Sequence, residues 1–279
     1  MEFLRSKLFA ALFSITIITI SVLVFQNPKN QSINWTFPYF SGAANFERLF
    51  DWQISPSDYE ITSRLSYKEY RSYRHQATET TVANTVNNYG YVLVALAARK
   101  LFPFIGDIQA MIMLQTITHV LVCLFLITAV LETTFQRYGF VFLYAANPVI
   151  IYFVTFPFYY FWLFVPGFAL VVIWLKPEWL PLSGILLIPT VVLSVLIRPT
   201  TIFLSFFVFL VFFYLSESWK QKLVAVSAFL LFSLVVFGMA SRSPTSPWHT
   251  MYVGIGAYQN EFNVTSPSDD EGFGFFTLK

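Results

Sequence analysis

Three carboxylates lie close together in the first quarter of the chain: Asp51, Asp58 and Glu60. A carboxylate placed beside a hydroxyl can take its proton, and grouped carboxylates can hold a divalent cation. Asp58 and Glu60 also have a structural interpretation. Acidic residues in the first turn of a helix favour its dipole, and Ser57 with Glu60 has the spacing of a capping box. Both interpretations stay open for each residue.

Two further side chains are suited to phosphate. Arg198 stands between Ile197 and Pro199 at the end of an apolar run, where an ionisable residue is a candidate for function. Its guanidinium offers a permanent charge and two parallel hydrogen bonds, although it can equally snorkel to lipid headgroups. His249, near the C-terminus, is a candidate for contacting a phosphate or a sugar.

The remaining candidates are a histidine and an acidic group. His75 follows Arg74 in a polar stretch. It can sense pH or bind phosphate, and we expect a solvated loop histidine. The acidic group near the C-terminus consists of Asp269, Asp270 and Glu271. It can bind a divalent cation, which is the one candidate cofactor, with Asp269 and Asp270 as ligands; its alternative is a solvated acidic cluster.

The composition shows what kind of protein must position these residues. Of the 279 residues, 56% are hydrophobic, 20% aromatic and only 11% charged, against about 25% charged in a soluble domain. That excludes a soluble enzyme and predicts an all-α polytopic membrane protein. The single cysteine, Cys123, excludes an internal disulfide and a cysteine metal cluster, and a net charge of +2 gives no reason to expect nucleic acid.

Apolar runs predict about seven transmembrane helices, since a crossing takes about 20 apolar residues. The first occupies residues 1–25, residues 26–107 form a long extracytoplasmic loop with interfacial helices, residues 108–240 form a bundle of about six spans, and residues 241–279 form an extracytoplasmic tail. The predicted spans are Leu8–Phe25, Ile108–Leu131, Tyr138–Thr155, Phe158–Leu175, Leu182–Ile197, Thr201–Leu215 and Leu223–Ala240. Within the loop, helices are expected from Ser57 through Arg74 and over Thr81–Phe102.

The basic residues set the orientation. Arg5, Lys7, Arg137, Lys176 and Lys220 fall on one side if the spans alternate. By the positive-inside rule that side is the cytoplasm, and loops longer than about 60 residues cross regardless of charge. The N-terminus is therefore predicted to be cytoplasmic, and the long loop and the tail are predicted to face outward together.

This layout resembles the GT-C glycosyltransferases, which carry a catalytic acid in the first outer loop. The matching segments are Asp58-Tyr59-Glu60, the run Asn88 to Leu96, and the tail segment Trp248 to Gly256 with Asp269-Asp270. The resemblance implies a bacterial inner-membrane enzyme. It would move a sugar from a polyprenyl-phosphate donor to a cell-envelope glycan, lipid or protein on the outer side. The chain is then either a short member or a truncated gene product.

The same resemblance assigns roles to residues. Asp58 would be the general base, with Glu60 as a second catalytic candidate, and Arg198 assisted by His249 would stabilise the phosphate leaving group. Two rivals remain, a transporter or flippase of lipid-linked sugars and a non-catalytic assembly subunit. A transporter needs polar residues along its spans, which carry chiefly Gln115, His119 and Asn147. For Gln115 and His119, a hydrogen bond between helices is the simpler expectation.

Overall fold

The computed structural model describes residues 2–24, 33–50, 56–77, 89–179, 190–198 and 201–240. All regular structure in these residues is helical, which confirms the predicted all-α class for the described part of the chain. Four of the candidate residues, namely Asp51, His249, Asp269 and Asp270, lie outside the described residues.

Twelve helices are described, and we number them in chain order. They are α1 (Glu2–Val24), α2 (Ile33–Leu49), α3 (Pro56–Ser63), α4 (Tyr67–Ser72), α5 (Tyr89–Leu101), α6 (Asp107–Phe125), α7 (Thr134–Phe140), α8 (Pro148–Thr155), α9 (Phe164–Leu175), α10 (190–197), α11 (Ile202–Leu215) and α12 (Trp219–Ala240). Two π-helical segments, Leu126–Val130 and Val141–Ala145, continue α6 and α7, and 3₁₀ turns occupy Tyr159–Leu163 and Pro177–Trp179.

Two of the described helices are long and apolar enough to cross a membrane, Ser6–Leu23 and Asp107–Val130. A third crossing results if Thr134–Ala145 and Pro148–Thr155 are taken as one bent span, and Tyr159–Leu175 and Phe203–Leu215 are shorter apolar helices. The helices thus fall where the apolar runs predicted them, while the total of seven crossings stays a prediction.

The predicted span Tyr138–Thr155 is bent by 52°. Pro148 is the first residue of α8 and has no N–H to continue the preceding helix. Asn147 caps the new helix, because its side-chain oxygen accepts the Val149 N–H at 2.9 Å. The bend therefore follows from an asparagine cap and a proline in sequence.

In the first loop, the single helix expected through Arg74 is two helices, α3 and α4. The capping box forms at Ser66 and Glu69, whose side chains bond each other's main-chain N–H groups, so α4 starts anew at Tyr67. The capping box predicted at Ser57 and Glu60 is wrong, because α3 begins at Pro56 and Ser57 already lies inside it.

Residues 1–232 form one compact unit, and residues 233–279 form a second, of which the last turns of α12 are described. Within the first unit, α5 packs between α2 and α6, and α6 also contacts α1 and α8. Gly90 permits a close approach of α5 to α10, since a Cβ there would lie 2.5 Å from the Ile197 nitrogen. The apolar core therefore includes both the spans and the helices of the first loop.

One end of this unit collects three of the basic residues on which the positive-inside rule relied, Lys7, Arg137 and Lys176. We call it the Arg137 end; it comprises Ser6, Lys7, Glu132, Arg137 and Lys176. The Lys7 ammonium donates to the Thr128 carbonyl at 2.7 Å, Arg137 donates to the Ser6 hydroxyl at 2.9 Å, and Lys176 pairs with Glu132. The side of the membrane on which this end lies stays a prediction.

Candidate functional site

Asp58 lies in the first turn of α3 and is buried. Its Oδ2 atom is 2.8 Å from Nδ1 of His75. Its Oδ1 atom accepts the Tyr73 hydroxyl at 2.8 Å and the Gln76 main-chain N–H at 3.3 Å. Both carboxylate oxygens are therefore engaged by residues 73–76, which follow α4.

His75 is not the solvated histidine that the sequence predicted, since only 1% of it is exposed. Four aromatic rings surround the imidazole at centroid distances of 5.2–5.9 Å: Phe37, Phe40, Tyr70 and Tyr73. The correction has a physical cause. Nδ1 of His75 is hydrogen-bonded to the Asp58 carboxylate. The imidazole can therefore be buried among aromatic rings without losing that hydrogen bond.

A second buried carboxylate, Asp107, fixes the main chain of His75. It is the first residue of α6, and its Oδ2 atom accepts the His75 N–H at 2.8 Å. The Arg99 guanidinium pairs with the same oxygen and also donates to the His75 carbonyl at 3.2 Å. Glu47 of α2 pairs with Arg99 at 3.1 Å and with Lys100 at 2.6 Å. We call Glu47, Asp58, His75, Arg99 and Asp107 the carboxylate cluster.

Gly106 brings the loop helices onto α6. A Cβ at this residue would lie 2.5 Å from the Ser72 carbonyl carbon and 2.6 Å from the Arg71 oxygen, which are main-chain atoms that cannot swing away. The close approach lets the Asp107 N–H donate to the Tyr73 carbonyl at 3.0 Å. The sequence Gly106-Asp107 thus ties the end of α4 to the start of α6.

Hydrogen bonding decides the electrostatics of Asp58. Burial raises the pKa of the Asp58 carboxyl, but the bond and charge of His75, with the Tyr73 and Gln76 donors, outweigh burial and hold the pKa below its usual value. The reverse holds for Tyr73. Burial and donation to Asp58 both raise the pKa of its hydroxyl well above the usual value. At neutral pH the site is an ionised carboxylate beside a neutral phenol.

Glu60 is outside this arrangement. Its side chain is exposed, and its main-chain carbonyl accepts the Ser63 hydroxyl at 3.0 Å within α3. Of the two acids that the sequence analysis proposed in this helix, the structure brings only Asp58 into contact with other ionisable groups.

Arg198 belongs to a neighbouring aromatic group. It follows α10, and its guanidinium carbon lies 4.7 Å from the centre of the Tyr159 ring, a cation–π contact. Tyr159 packs edge-on to Tyr39 and Tyr91 at 6.3 and 6.2 Å. Among the described residues, no carboxylate lies within ion-pair distance of Arg198.

Helix α2 links the two groups. Phe37 and Phe40 contact the His75 ring, while Tyr39 packs on Tyr91 and Tyr159. Consecutive helical residues point about 100° apart. One face of α2 therefore contacts His75, and the adjacent face contacts the aromatic group beside Arg198. No hydrogen bond or ion pair between described residues joins Asp58 to Arg198 directly.

Two polar residues of helix α6, Gln115 and His119, contact other residues of the protein. The Gln115 amide donates to the carbonyls of Phe153 and Phe156 at 3.3 and 3.1 Å, which confirms the hydrogen bond between helices that the sequence suggested. His119 is buried, with Nε2 3.8 Å from the Cys123 sulfur. In the described part of the chain, no group of three or more His, Cys, Asp or Glu could hold a metal ion.

Sequence reasoning missed several members of the site: Tyr73, Arg99, Asp107 and Glu47. For two of them a signal existed. Arg99 ends α5 and Asp107 begins α6, and the short connection at Phe102–Gly106 forces these helix ends together. Glu47 and Tyr73 had no comparable signal, because their partners come from the separate helices α5 and α3.

No protein-family model, no curated protein and no solved structure matches the chain.

Proposed function

We propose that this protein is an integral membrane glycosyltransferase that moves a sugar from a polyprenyl-phosphate donor to an extracytoplasmic acceptor. The observation that carries the proposal is the pairing of Asp58 with His75 in the first loop, where an acid was expected from the resemblance to GT-C enzymes. A carboxylate held ionised beside an imidazole is a unit that accepts protons.

In the proposed reaction the acceptor hydroxyl attacks the anomeric carbon as its proton leaves toward Asp58. The new C–O bond forms on the face opposite the phosphate, and the bond to the phosphate oxygen breaks, so configuration inverts. A positioned base of this kind contributes about 100- to 10,000-fold. The polyprenyl phosphate departs as an anion, and positioning and charge are what the protein has to supply.

Arg198 is the proposed partner of that phosphate. The Arg198 guanidinium carbon lies 4.7 Å from the centre of the Tyr159 ring, and a guanidinium can make bidentate bonds to an anion while it contacts an aromatic ring. Tyr39 of α2 packs on Tyr159, the ring that Arg198 contacts, and Phe40 of α2 packs on His75, so we propose that a donor bound beside this helix reaches both groups.

The two ends of α6 support the proposed orientation. The carboxylate cluster includes Asp107, at one end of Asp107–Val130, and the Arg137 end surrounds the other. At 1.5 Å per residue this helix is roughly 36 Å long, slightly more than the roughly 30 Å bilayer core. If the Arg137 end is cytoplasmic, the carboxylate cluster faces outward.

The rival transporter function has less support. Gln115, one of the polar residues that could have lined a path, donates to main-chain carbonyls instead. For a flippase, the charged groups of the site would be expected along the spans, whereas Asp58 and His75 lie in the first loop.

The test compares sugar transfer from polyprenyl-phosphate donors by the wild type, Asp58→Asn and the control Glu60→Gln. The asparagine keeps the shape of the site: its oxygen takes the place of Oδ1, which accepts from Tyr73 and Gln76, so its NH₂ faces His75. The amide then donates to Nδ1 and drives the ring proton to Nε2. ¹⁵N NMR of the histidines detects this tautomer and shows that the variant is folded.

We expect transfer to fall about 100-fold or more in Asp58→Asn and to stay unchanged in Glu60→Gln. Equal activity of the wild type and a folded Asp58→Asn variant removes Asp58 from catalysis. Absence of transfer by the wild type with every donor tested contradicts the enzyme proposal and favours a transporter or an assembly subunit.

A further inference from the structure

Asp58 is badly placed to meet a substrate itself. Its side chain has no exposed surface, and three donors of its own chain occupy its two oxygens. The His75 side chain is 1% exposed. An acceptor hydroxyl would have to displace one of these internal bonds to reach the carboxylate, which leaves a buried donor unpaired at a cost of about 1–3 kcal/mol.

Tyr73 is the side chain that joins this buried pair to the surface. It is only partly buried, and its hydroxyl donates to Oδ1 of Asp58 at 2.8 Å. Gln76 is exposed, but it contacts Asp58 through its main-chain N–H, which can donate a hydrogen bond but cannot accept one. A phenol oxygen can accept one hydrogen bond while it donates another, so the partly buried Tyr73 can pass a proton inward, whereas the His75 imidazole, which could also relay a proton, is only 1% exposed.

We propose that Tyr73 is a catalytic residue of the transfer, the group that receives the acceptor's proton while handing its own to Asp58. This inference rests on the proposed function. The acceptor O–H bond breaks and a new O–H bond forms on Tyr73. The original Tyr73 proton moves to Oδ1 of Asp58, the C–O bond to the anomeric carbon forms, and the phosphate leaves with its electron pair. One proton enters the carboxylate, and the phenol ends as it began.

The electrostatics of Tyr73 require the two protons to move together. Burial and the bond to Asp58 raise the pKa of the Tyr73 hydroxyl, so a free phenolate is not a stable stage of the reaction. The ring position is also defined: the Tyr73 carbonyl accepts the Asp107 N–H at 3.0 Å, and the ring packs edge-on to His75 at 5.2 Å. Such preorganisation is what a short relay needs.

The experiment compares Tyr73→Phe with the matched control Tyr70→Phe. Tyr70 also packs edge-on to His75, but its hydroxyl lies 3.2 Å from the Thr36 hydroxyl instead of bonding to Asp58. Each variant keeps the ring and loses one hydrogen bond, so both should lose similar thermal stability. Transfer from a polyprenyl-phosphate sugar is measured in single turnovers, which report the chemical step. Steady-state measurements give kcat and KM.

We expect kcat to fall about 100-fold or more in Tyr73→Phe with KM nearly unchanged, and to stay near the wild-type value in Tyr70→Phe. In mixtures of H₂O and D₂O, the wild-type rate should curve with deuterium fraction, because two protons move. Retention of kcat in Tyr73→Phe, or a linear dependence in the wild type, overturns the relay and leaves the glycosyltransferase proposal standing. A wild type that transfers no sugar overturns both.

Discussion

The two ends of the long helix Asp107–Val130 bury an arginine in opposite ways. At the Arg137 end, the guanidinium is fully buried and donates to main-chain carbonyls, those of Leu131 and Glu132, at 2.7–3.2 Å. At the carboxylate cluster, Arg99 pairs with the carboxylates of Asp107 and Glu47 as well as with the His75 carbonyl. The charge of Arg137 is thus compensated by main-chain carbonyls, whereas the charge of Arg99 is compensated mainly by carboxylates.

The difference bears on the function proposed for the carboxylate cluster. Carbonyls left free where a helix terminates are natural acceptors, and an arginine that caps them holds the chain but exchanges no proton. The other end adds two buried carboxylates and an imidazole, side chains of the types that take part in acid–base chemistry. Buried ionic groups contribute little to net stability, so their concentration at one end favours a functional explanation.

The largest effect is expected from Asp107→Asn. The substitution keeps the shape but removes the charge that faces Arg99 at a buried position, and breaking one partner of a buried pair costs about 3–5 kcal/mol. Thermal unfolding in detergent measures the loss. The control at the other end is Glu132→Gln, which removes an exposed partner of Lys176 and should leave the melting temperature unchanged. Equal losses in both variants would remove the distinction between the two ends.

The ion pair between Asp107 and Arg99 also shows how much of the fold could be predicted from the sequence. Apolar runs located the spanning helices because bilayer thickness fixes their length. A cation at the end of α5 and an acid at the start of α6, joined by a short connection, carried enough information to predict their contact. Asp58 was chosen from its place in the predicted first outer loop; the structure places the imidazole of His75 beside it, and its catalytic role stays a prediction.

What could not be predicted depends on residues far apart in sequence. His75 reads as a polar loop residue because its neighbours Arg74 and Gln76 are polar, yet its cage comes from α2 and α4 and its partner from α3. Arg137 was expected only to set orientation, and the structure buries it, because the carbonyls it caps lie at a helix end five and six residues earlier. Neither arrangement has a local pattern.

The next effect in size is expected from Gly106→Ala. The new methyl group would lie 2.5 Å from main-chain atoms of residue 72, so α4 and α6 must separate, and overpacking of this kind costs about 1–3 kcal/mol. The separation should also lengthen the bond between the Asp107 N–H and the Tyr73 carbonyl. Hydrogen exchange of the Asp107 amide reports this change, and an amide that stays as protected as in the wild type contradicts it.

Acid should affect the two ends differently. The pKa of Asp58 is lowered on folding, so its contribution to stability is complete above the value of an unfolded aspartate, about 4. This contribution is lost as pH falls through the lowered pKa of Asp58 in the folded protein. Below pH 4 the melting temperature of the wild type should therefore fall faster than that of Asp58→Asn.

Salt separates the two ends further. Lys176 lowers the pKa of the exposed Glu132, and 0.5 M salt should weaken this interaction while leaving the buried interactions of Asp58 in place. A wild type and an Asp58→Asn variant with parallel acid curves would show that the bonds to Asp58 do not stabilise the fold.

The smallest effect is expected from Gly139→Ala in α7, and its sign is opposite to that of Gly106→Ala. No described atom lies within 4 Å of the Cβ that alanine would add, so the methyl group meets open space. Alanine favours the helix over glycine by about 1 kcal/mol, partly by restricting the unfolded chain. We expect the melting temperature to rise slightly. Glycine-to-alanine substitution would then stabilise the protein at residue 139, beside the Arg137 end, and destabilise it at residue 106, in the carboxylate cluster. Comparing these two variants shows that the close contact of α4 with α6 is what requires glycine at residue 106. A loss of stability in Gly139→Ala would show that helix propensity does not govern α7.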